Sequence, residues 1–288
     1  MKKIVVRVNG LSSDPTQGKM ARVLAKEVIK SADMQLCSNC LIGPQEENGI
    51  ITIDGFSVTG FKPEERNVIL RGMMADIDVD FTTPLSVKLN VDFYTERELP
   101  FLLGTTGGNK NGCDERYIAK KVAESKINAV VAPNFSKEIV AFLESIKYWA
   151  RTFPGSLKGY EIKIIESHPA SKKDVSGTVM SMLPTFDKLG VSYSIEQVDR
   201  DKVRNEEGYR NLGIPEKYWN AHGWHFFSFR RKDDESVLLE YTTKVIGRET
   251  YAYGAMDAIR FLHEKNKNAF KSSDVGHVYS MINVMKGK

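Results

Sequence analysis

Short apolar runs alternate with amphipathic stretches along the first half of the chain. Residues 3–9 are rich in Val and Ile, which predicts a buried strand, and helical periodicity follows from about residue 18 to Ser31. The alternation then repeats and predicts strands at 75–84, 99–108 and 128–136, with helices at 84–96, 114–125 and 137–152. Strands that alternate with helices are typical of a parallel sheet covered by helices.

The second half of the chain is richer in strands. The pattern there predicts strands at 160–165, 191–198, 224–232 and 236–245, and helices at 178–189, 253–265 and 278–285. The change near residue 134 predicts a domain boundary. We therefore predict the α/β class, with an N-terminal Rossmann-like parallel sheet domain and an α+β domain built on an open mixed β-sheet.

Two further elements are predicted between the first helix and residue 75. The segment MQLCSNCLI (34–42) has the composition of a second buried strand. Residues 50–61 predict a β-hairpin, because the Asp54-Gly55 pair favours a tight turn between two alternating runs.

Composition and charge exclude several classes of function. Of 288 residues, 41% are hydrophobic and 27% charged, as is typical of a globular protein with a substantial core. The net charge of +4 comes from basic residues mixed with acidic ones, which predicts no nucleic-acid partner. No apolar run is long enough to span a membrane, and the strand pattern at the N-terminus predicts no signal or transit peptide.

The cysteines predict neither a disulfide framework nor a metal site. Cys37 and Cys40 form a CxxC pair, and Cys113 is distant from both. The five histidines are far from the pair in sequence and lack the spacing of a zinc site. We therefore predict a reducing, cytoplasmic environment and no bound metal.

A strand, a glycine turn and a helix open the chain, in the order of a dinucleotide-binding motif. Gly10 follows the strand and Gly18 precedes the helix, although seven residues separate them and Ala21 stands where a third glycine is usual. No carboxylate ends the segment 34–42, where a ribose-binding acid is expected. That absence leaves room for a 2′-phosphate, so NADPH is a reasonable cofactor, and NADH stays open as the alternative.

Two of the later strands end in similar polar turns, DFTTP at 80–84 and GTTGG at 104–108. The carboxyl ends of parallel strands meet at one edge of a sheet, where ligands bind. Turns rich in glycine and threonine offer backbone N–H groups and small hydroxyls with little obstruction. The alternative interpretation is two ordinary tight turns.

The segment from Tyr160 to Leu183 concentrates the candidate chemistry. A predicted strand leads into a loop with Glu166, His168, Lys172 and Asp174, and the Ser-Gly-Thr of 176–178 then begins a helix. A helix N-terminus binds anions, and a His and a Lys beside it could perform acid–base chemistry on an anionic substrate. The alternative is a solvated loop with ordinary surface charge.

Four motifs, in this order along the chain, resemble those of the dihydrodipicolinate (4-hydroxy-tetrahydrodipicolinate) reductase family. They are DFTTP (80–84), GTTGG (104–108), APNFS (132–136) and ESHPASKKDVSGT (166–178), and GRETYAYGAMDAIRFL (247–262) is similar to the family's return helix. The resemblance spans nearly the whole chain and is nearest to the plant-type branch. It implies an NAD(P)H-dependent reduction of a cyclic dicarboxylate in lysine and diaminopimelate biosynthesis.

The resemblance also implies roles for individual residues. His168 and Lys172 correspond to the catalytic His and the proton-donating Lys. Ser176, Gly177 and Thr178 correspond to the turn that binds a substrate carboxylate, and Pro169 stands at the substrate-binding position of a second family His. The implied cofactor contacts are Gly10, Gly18, Lys19, Met20, Phe81, Gly104, Thr105, Thr106, Ala132, Asn134 and Phe135.

The family's architecture implies how the chain is divided and assembled. Residues 1–134 would form the dinucleotide-binding domain, completed by the C-terminal helices of 253–288, and residues 135–252 would bind substrate and build a homotetramer. The phosphate loop after Gly10 is longer than the family's usual form, and Pro169 removes one imidazole. These departures keep open an alternative function, a non-catalytic regulatory protein that senses NADPH.

Overall fold

The apolar runs of the sequence form strands, and the amphipathic stretches between them form helices. The computed structural model describes residues 2–172, 175–233, 236–272 and 274–288, without the side chains of 268–272. The strands are β1 (Ile4–Asn9), β2 (Met34–Leu36), β3 (Asn39–Leu41), β4 (Gly49–Ile53), β5 (Phe56–Phe61), β6 (Ile77–Asp80), β7 (Phe101–Leu103), β8 (Ala129–Val131), β9 (Tyr160–Ser167), β10 (His222–Arg231), β11 (Leu238–Ile246) and β12 (Val278–Tyr279). The α-helices are α1 (Lys19–Lys30), α2 (Val87–Glu96), α3 (Glu115–Ala123), α4 (Lys137–Thr152), α5 (Gly177–Leu189), α6 (Glu206–Leu212), α7 (Glu249–Ser272) and α8 (Met281–Lys286).

The predicted parallel sheet is confirmed. Its six strands lie in the order β12-β8-β7-β6-β1-β2, and every neighbouring pair is parallel. Successive residues of β6 and β7, and of the second half of β1, are buried on both faces, as in a parallel sheet that is covered on both sides. The sequence pattern missed β12, a two-residue strand in which Val278 pairs with Ala129 at the sheet edge.

The predicted single strand at 34–42 is wrong. It forms two short strands, β2 in the parallel sheet and β3 in a second sheet of order β3-β5-β4. A buried polar interaction explains the break, because the Asn39 side chain turns inward and accepts a hydrogen bond from Arg7 Nε at 2.9 Å. The hairpin of β4 and β5 is confirmed, with Asp54 and Gly55 at φ values of 46° and 83°, as a type I′ turn requires.

Arg7 is the centre of a buried polar network inside this fold. Its guanidinium is fully buried and donates from Nη1 to the Asp78 carboxylate at 3.1 Å, across the pair of strands β1 and β6. Nη2 donates to the carbonyl oxygens of Ile69 and Met73 at 3.2 and 3.1 Å. Burial raises the pKa of Asp78, while Arg7 and a hydrogen bond from Asn9 oppose that rise.

The described chain divides into two compact units. Unit 1 comprises Met1–Lys137 and Glu249–Lys288, and unit 2 comprises Glu138–Arg248. In unit 1, α7 packs against α1, and it begins four residues before the predicted helix of 253–265. In the part of the chain that the structure describes, no helix has the length and apolar character needed to cross a membrane.

Unit 2 is built on a three-stranded antiparallel sheet of order β11-β10-β9. Its core joins α4 and α5 to the apolar face of β10, where Phe227 and Phe229 are buried. The strand predicted at 191–198 is wrong, because Ser194 and Gln197 form a capping box around a short 3₁₀ helix instead. The one parallel pairing of this sheet among the described residues is an isolated bridge between Ile165 and Asp199.

Candidate active site

Gly10 lies at the carboxyl edge of the parallel sheet, directly after β1. Its backbone is left-handed, with a φ of 94°. A Cβ atom here would lie 2.4 Å from the carbonyl oxygen of Phe81, so no other residue fits without displacing the backbone. The turn therefore carries no side chain that would keep a pyrophosphate away from the backbone.

The N-terminus of α1 provides the second part of the predicted phosphate site. Gly18 precedes the helix with a φ of 54° and offers no side-chain acceptor to its first turn. Lys19 is exposed and Met20 half-buried at the start of the helix. Arg22 Nη2 donates to the carbonyl oxygen of Ser12 at 2.6 Å and so braces the long loop before the helix. The helix N–H groups and dipole remain open to an anion.

The ends of β6, β7 and β8 bring three predicted cofactor residues together. The rings of Phe81 and Phe135 meet edge to face, with centroids 5.9 Å apart. A Cβ atom on Gly104 would lie 2.2 Å from Phe81 Cε1 and 2.9 Å from Phe135 Cε2. Gly104 is therefore required for the two rings to close over the turn after β7.

The remaining predicted cofactor residues lie beside this aromatic pair. Thr105 Oγ1 donates to the carbonyl oxygen of Thr82 at 3.3 Å, which links the two threonine-rich turns. Thr105, Thr106 and Ala132 line part of a cavity of about 570 Å³. Asn134 turns back on its own loop, and its Oδ1 accepts a backbone N–H at 2.9 Å.

Asp80, at the end of β6, stabilises the turn after β6 through hydrogen bonds to its carboxylate. Its Oδ1 accepts hydrogen bonds from the Thr82 N–H at 2.9 Å and the Thr82 hydroxyl at 2.6 Å. Its Oδ2 accepts hydrogen bonds from Asn90 Nδ2 and the Tyr94 hydroxyl, both at 2.9 Å. Burial, and then the charge of Asp80, raise the pKa of Tyr94 well above its usual value. Tyr94 therefore acts as a neutral donor that fixes the carboxylate.

In unit 2, the loop of residues 168–176 joins β9 to α5 and carries the predicted acid–base residues. The carbonyl oxygen of Pro169 accepts the Lys172 N–H at 2.9 Å, which closes a turn. The carbonyl oxygen of Lys172 accepts a hydrogen bond from Arg204 Nη1 at 2.6 Å. Among the described residues, Lys172 Nζ has no hydrogen-bond or ion-pair partner. Asp174, predicted from the sequence to lie in the same loop, lies outside the described residues.

His168 is a neutral imidazole in which one ring nitrogen has no hydrogen-bond partner among the described residues. Its Nδ1 lies 3.2 Å from the carbonyl oxygen of His222, which can only accept, so Nδ1 carries the proton. Its Nε2 is buried and has no partner among the described residues. Burial and the neighbouring His225 ring lower the pKa of His168 to about 2. His168 therefore presents an acceptor, not an acid, at neutral pH.

His225 supplies a second imidazole beside His168. It lies on β10, and its ring centroid is 5.2 Å from that of His168 in an edge-to-face contact. The ring is buried between Ser176 Oγ, 2.9 Å from Nε2, and Thr243 Oγ1, 3.2 Å from Nδ1. Burial, and then the positive charge of nearby basic side chains, lower the pKa of His225 to about 3.

Glu166 and Ser176 fix the start of α5. Glu166 is fully buried; its Oε1 is bonded to Arg204, and its Oε2 accepts the Ser176 N–H at 2.8 Å. Ser176 Oγ caps the helix by accepting the Val179 N–H at 3.2 Å, which confirms the N-cap predicted from the sequence. The polar atoms of Ser176 are therefore engaged within the protein.

The first turn of α5 keeps two donors for a ligand. The N–H groups of Ser176 and Val179 are used as described above. The backbone N–H groups of Gly177 and Thr178 have no acceptor among the described residues. Gly177 is exposed, and a Cβ atom placed on it would meet nothing within 4 Å. An approaching carboxylate thus finds two N–H donors and a positive dipole end.

Three side chains of this site were not predicted from the sequence. Tyr209 donates from its hydroxyl to the carbonyl oxygen of His168 at 3.0 Å, and Arg204 and His225 make the contacts given above. One signal was present for His225, because it alternates with Phe227 and Phe229 on the buried face of a correctly predicted strand. Nothing in the local sequence marks Arg204 or Tyr209.

Glu166, His168 and His225 also satisfy the spacing of a metal site. One ligand atom from each lies within 4.8 Å of the others. The guanidinium of Arg204 contacts the same carboxylate, however, and would repel a divalent cation. The three groups serve as hydrogen-bonding partners in this arrangement, and we assign no metal to them.

Comparison with known proteins places the whole chain in one family. Residues 6–135 match the family model described as dihydrodipicolinate reductase, N-terminus, and residues 139–276 match the model for its C-terminus. The probable 4-hydroxy-tetrahydrodipicolinate reductase 2, chloroplastic, of Oryza sativa subsp. japonica is 33% identical over 98% of this chain and 82% of its own length. The chloroplastic reductase 2 of Arabidopsis thaliana is 34% identical over 98% of this chain and 77% of its own length.

A solved structure shares the fold. The dipicolinate-bound dihydrodipicolinate reductase from Paenisporosarcina sp. TG-14 superposes with a TM-score of 0.61, covering 96% of this chain and 97% of that one at 17% identity. The two family models together cover both units, and the plant relatives exceed 30% identity over almost the full chain. This chain belongs to the dihydrodipicolinate reductase family.

Proposed function

We propose that this chain reduces 4-hydroxy-tetrahydrodipicolinate, a cyclic dicarboxylate, to tetrahydrodipicolinate in lysine and diaminopimelate biosynthesis. Membership of the family makes it an NAD(P)H-dependent oxidoreductase that acts on a small molecule. One local observation supports the assignment of the substrate half to unit 2. At the start of α5, the backbone N–H groups of Gly177 and Thr178 have no acceptor among the described residues, and they directly follow the loop that carries Lys172 and the neutral His168.

Unit 1 has the features that a dinucleotide requires. The glycines at 10 and 18 leave the phosphate loop without side chains, and a Cβ atom at either would lie within 2.5 Å of a backbone oxygen. We therefore assign the pyrophosphate to this loop and the N-terminus of α1, and the nicotinamide side to Phe81, Gly104 and Phe135. When bound there, NAD(P)H supplies the hydride. The end of β2 carries Cys37 and Ser38 and no carboxylate, which favours NADPH.

In unit 2, we assign one substrate carboxylate to the N–H groups of Gly177 and Thr178. The second carboxylate would lie within reach of Lys172, whose ammonium group has no competing partner among the described residues. Two anion-binding points fix both the position and the orientation of the ring, and that is what hydride transfer to one ring atom requires.

Lys172 is the proton donor in this mechanism. The carbon–oxygen bond of the 4-hydroxyl group must break and release water, which leaves the conjugated ring that accepts the hydride. Hydride addition to that ring is completed by one proton, and His168 cannot provide it, because burial lowers its pKa to about 2. The ammonium group of Lys172 delivers the proton directly or through water. His168 Nε2, which is buried and has no partner among the described residues, is the acceptor for a hydrogen bond from the substrate or from that water.

The first test replaces Lys172 with Gln and follows the near-ultraviolet absorbance of NADPH with the product of dihydrodipicolinate synthase as substrate. We expect kcat to fall by about 10²–10⁴-fold, which is the usual contribution of a positioned acid. NADPH affinity should stay at the value of the parent. Lys163→Gln, an exposed lysine on β9, is the matched control and should turn over normally. Turnover by Lys172→Gln within a few-fold of the parent would remove Lys172 from the mechanism.

The same assay separates the reductase from the alternative, a regulatory NADPH sensor. A sensor would bind NADPH tightly and leave its absorbance unchanged when substrate is added. The family's homotetramer is a second proposal for this chain, with unit 2 as the assembling part, and sedimentation of the intact protein measures it.

A further inference from the structure

The backbone of the catalytic loop is held by side chains from a distant segment of unit 2. Tyr209 donates to the carbonyl oxygen of His168 at 3.0 Å, and Arg204 donates to that of Lys172 at 2.6 Å. Both donors belong to the segment from Arg204 to the end of α6, more than thirty residues along the chain. The two loop residues proposed for the chemistry thus both have carbonyl oxygens that are bonded by side chains from outside the loop.

Arg204 is anchored before it reaches the loop. Its exposed fraction is 9%, and its second terminal nitrogen, Nη2, bonds to the fully buried Glu166 at the end of β9. The other oxygen of Glu166 accepts the Ser176 N–H, 2.8 Å away, at the start of α5. One buried ion pair therefore joins the end of β9, the middle of the loop at Lys172 and the first residue of the helix cap.

We propose that Arg204 and Tyr209 are positioning residues for the reaction, which set the location of Lys172 and His168 through their backbone carbonyl oxygens. The inference rests on the proposed function of those two residues. A planar guanidinium can bond a carboxylate and a carbonyl oxygen at once in a fixed fork, whereas an ammonium group on a flexible stem cannot hold that geometry. Displacement of a catalytic group by about 1 Å can cost about 10²-fold in rate.

The test is a double-mutant cycle between Arg204→Lys and Lys172→Gln in the full-length protein. Arg204→Lys keeps the charge beside Glu166 and loses the bond to the Lys172 carbonyl oxygen. We expect kcat to fall by about 10²-fold with little change in KM for NADPH. In the Lys172→Gln background the same change should cost no more than about threefold, because the group that it positions is already gone.

Two further variants complete the design. Arg210→Lys changes an exposed arginine of α6 that is bonded to Glu206, and it should leave kcat unchanged. Tyr209→Phe keeps the packed ring and removes the bond to His168, so it should lower kcat several-fold at unchanged KM for NADPH. If Arg204→Lys does not fold, as judged by circular dichroism, the Tyr209→Phe result decides the proposal.

The outcomes separate this inference from the proposed function. A parent that does not oxidise NADPH with this substrate would contradict the reductase assignment itself. An active parent whose Arg204→Lys or Tyr209→Phe variant keeps the full kcat would overturn the positioning role. Equal losses with and without Lys172 would overturn it as well, because a residue that only stabilises unit 2 gives effects that multiply.

Discussion

The substitution Gly10→Ala measures how far the structure of the phosphate loop, and its affinity for NADPH, depend on one backbone position. An alanine here must adopt a φ of 94° and place a Cβ atom 2.4 Å from the carbonyl oxygen of Phe81. Strained backbone conformations cost about 1–3 kcal/mol each, and the clash moves the turn that precedes the aromatic pair. We expect Gly10→Ala to lower the free energy of unfolding by at least that amount and NADPH affinity by tenfold or more.

Gly112→Ala is the matched control for this substitution. Gly112 has a φ of 72°, but a Cβ atom there would meet nothing within 4 Å. Gly112→Ala strains the backbone but causes no steric clash, so the NADPH affinity of this variant should equal that of the parent. The two variants are compared by urea denaturation and by titration of NADPH fluorescence. Equal cofactor affinity in Gly10→Ala and the parent would contradict a phosphate site at this turn.

The residues of unit 2 show which parts of a site local sequence can predict. The N-cap at Ser176 was predictable, because its acceptor, the Val179 N–H, lies three residues away. The partners of Ser176 and Glu166 that are distant in sequence could not be predicted. His225 reaches Ser176 across 49 positions of sequence, and Arg204 reaches Glu166 across 38. Such contacts depend on strand pairing and loop path, which the polar or apolar character of one residue does not encode.

At the scale of elements, the periodicity of apolar residues predicted the strands and helices whose burial follows a regular pattern. The prediction is wrong at 34–42, where the apolar run suggests one strand but the polar Asn39 turns inward to Arg7. It failed again at 191–198, where the capping box of Ser194 and Gln197 favours a 3₁₀ turn over an extended strand. In both places hydrogen bonds of polar side chains oppose a continuous strand. The bond at Asn39 comes from the distant Arg7, and the bonds at 194–197 are local.

Substitutions at the Arg7–Asp78 pair measure how much the stability of unit 1 depends on a buried ion pair. Arg7→Met leaves Asp78 buried beside β1 without its cation, which typically costs about 3–5 kcal/mol. The double variant Arg7→Met/Asp78→Val removes the lone charge and should recover part of that loss. Recovery should be incomplete, because the carbonyl oxygens of Ile69 and Met73 also lose their donor.

Urea denaturation followed by far-ultraviolet circular dichroism measures both variants. Arg97→Met, an exposed arginine whose bond is to Asn67, serves as the control and should change the unfolding free energy by about 0.5 kcal/mol or less. A single variant Arg7→Met as stable as Arg97→Met would show that the buried pair contributes nothing to the junction of β1 and β6.

At the scale of the whole molecule, the aromatic probes and the buried imidazoles fall in the same unit. All three tryptophans, Trp149, Trp219 and Trp224, lie between residues 138 and 248. His168, His222 and His225 lie there too, and burial lowers the pKa of each. Tryptophan fluorescence therefore reports the unfolding of the unit whose stability those imidazoles make sensitive to acid.

The direction of that sensitivity follows from proton binding. His225 titrates at a pKa of about 3 in the folded protein and near 6.5 in an unfolded chain, so between these values only the unfolded chain carries its proton. The free energy of unfolding is therefore highest above pH 6.5 and falls as the pH drops through this window. The loss for one such imidazole is about 1.4 kcal/mol between pH 7.5 and 5.5.

His225→Gln should remove this contribution, so the free energy of unfolding should depend less steeply on pH on the acid side. The glutamine amide can still bond Ser176 and Thr243, so the variant should fold, and its unfolding free energy should fall by about 1.4 kcal/mol less than that of the parent between the two pH values. The measurement is urea denaturation followed by tryptophan fluorescence. His277→Gln is the control, because it removes an imidazole from unit 1, where there is no tryptophan. If the parent and His225→Gln lose the same stability on acidification, His225 is not held neutral in the fold. Its place as the second imidazole beside His168 would then need another explanation.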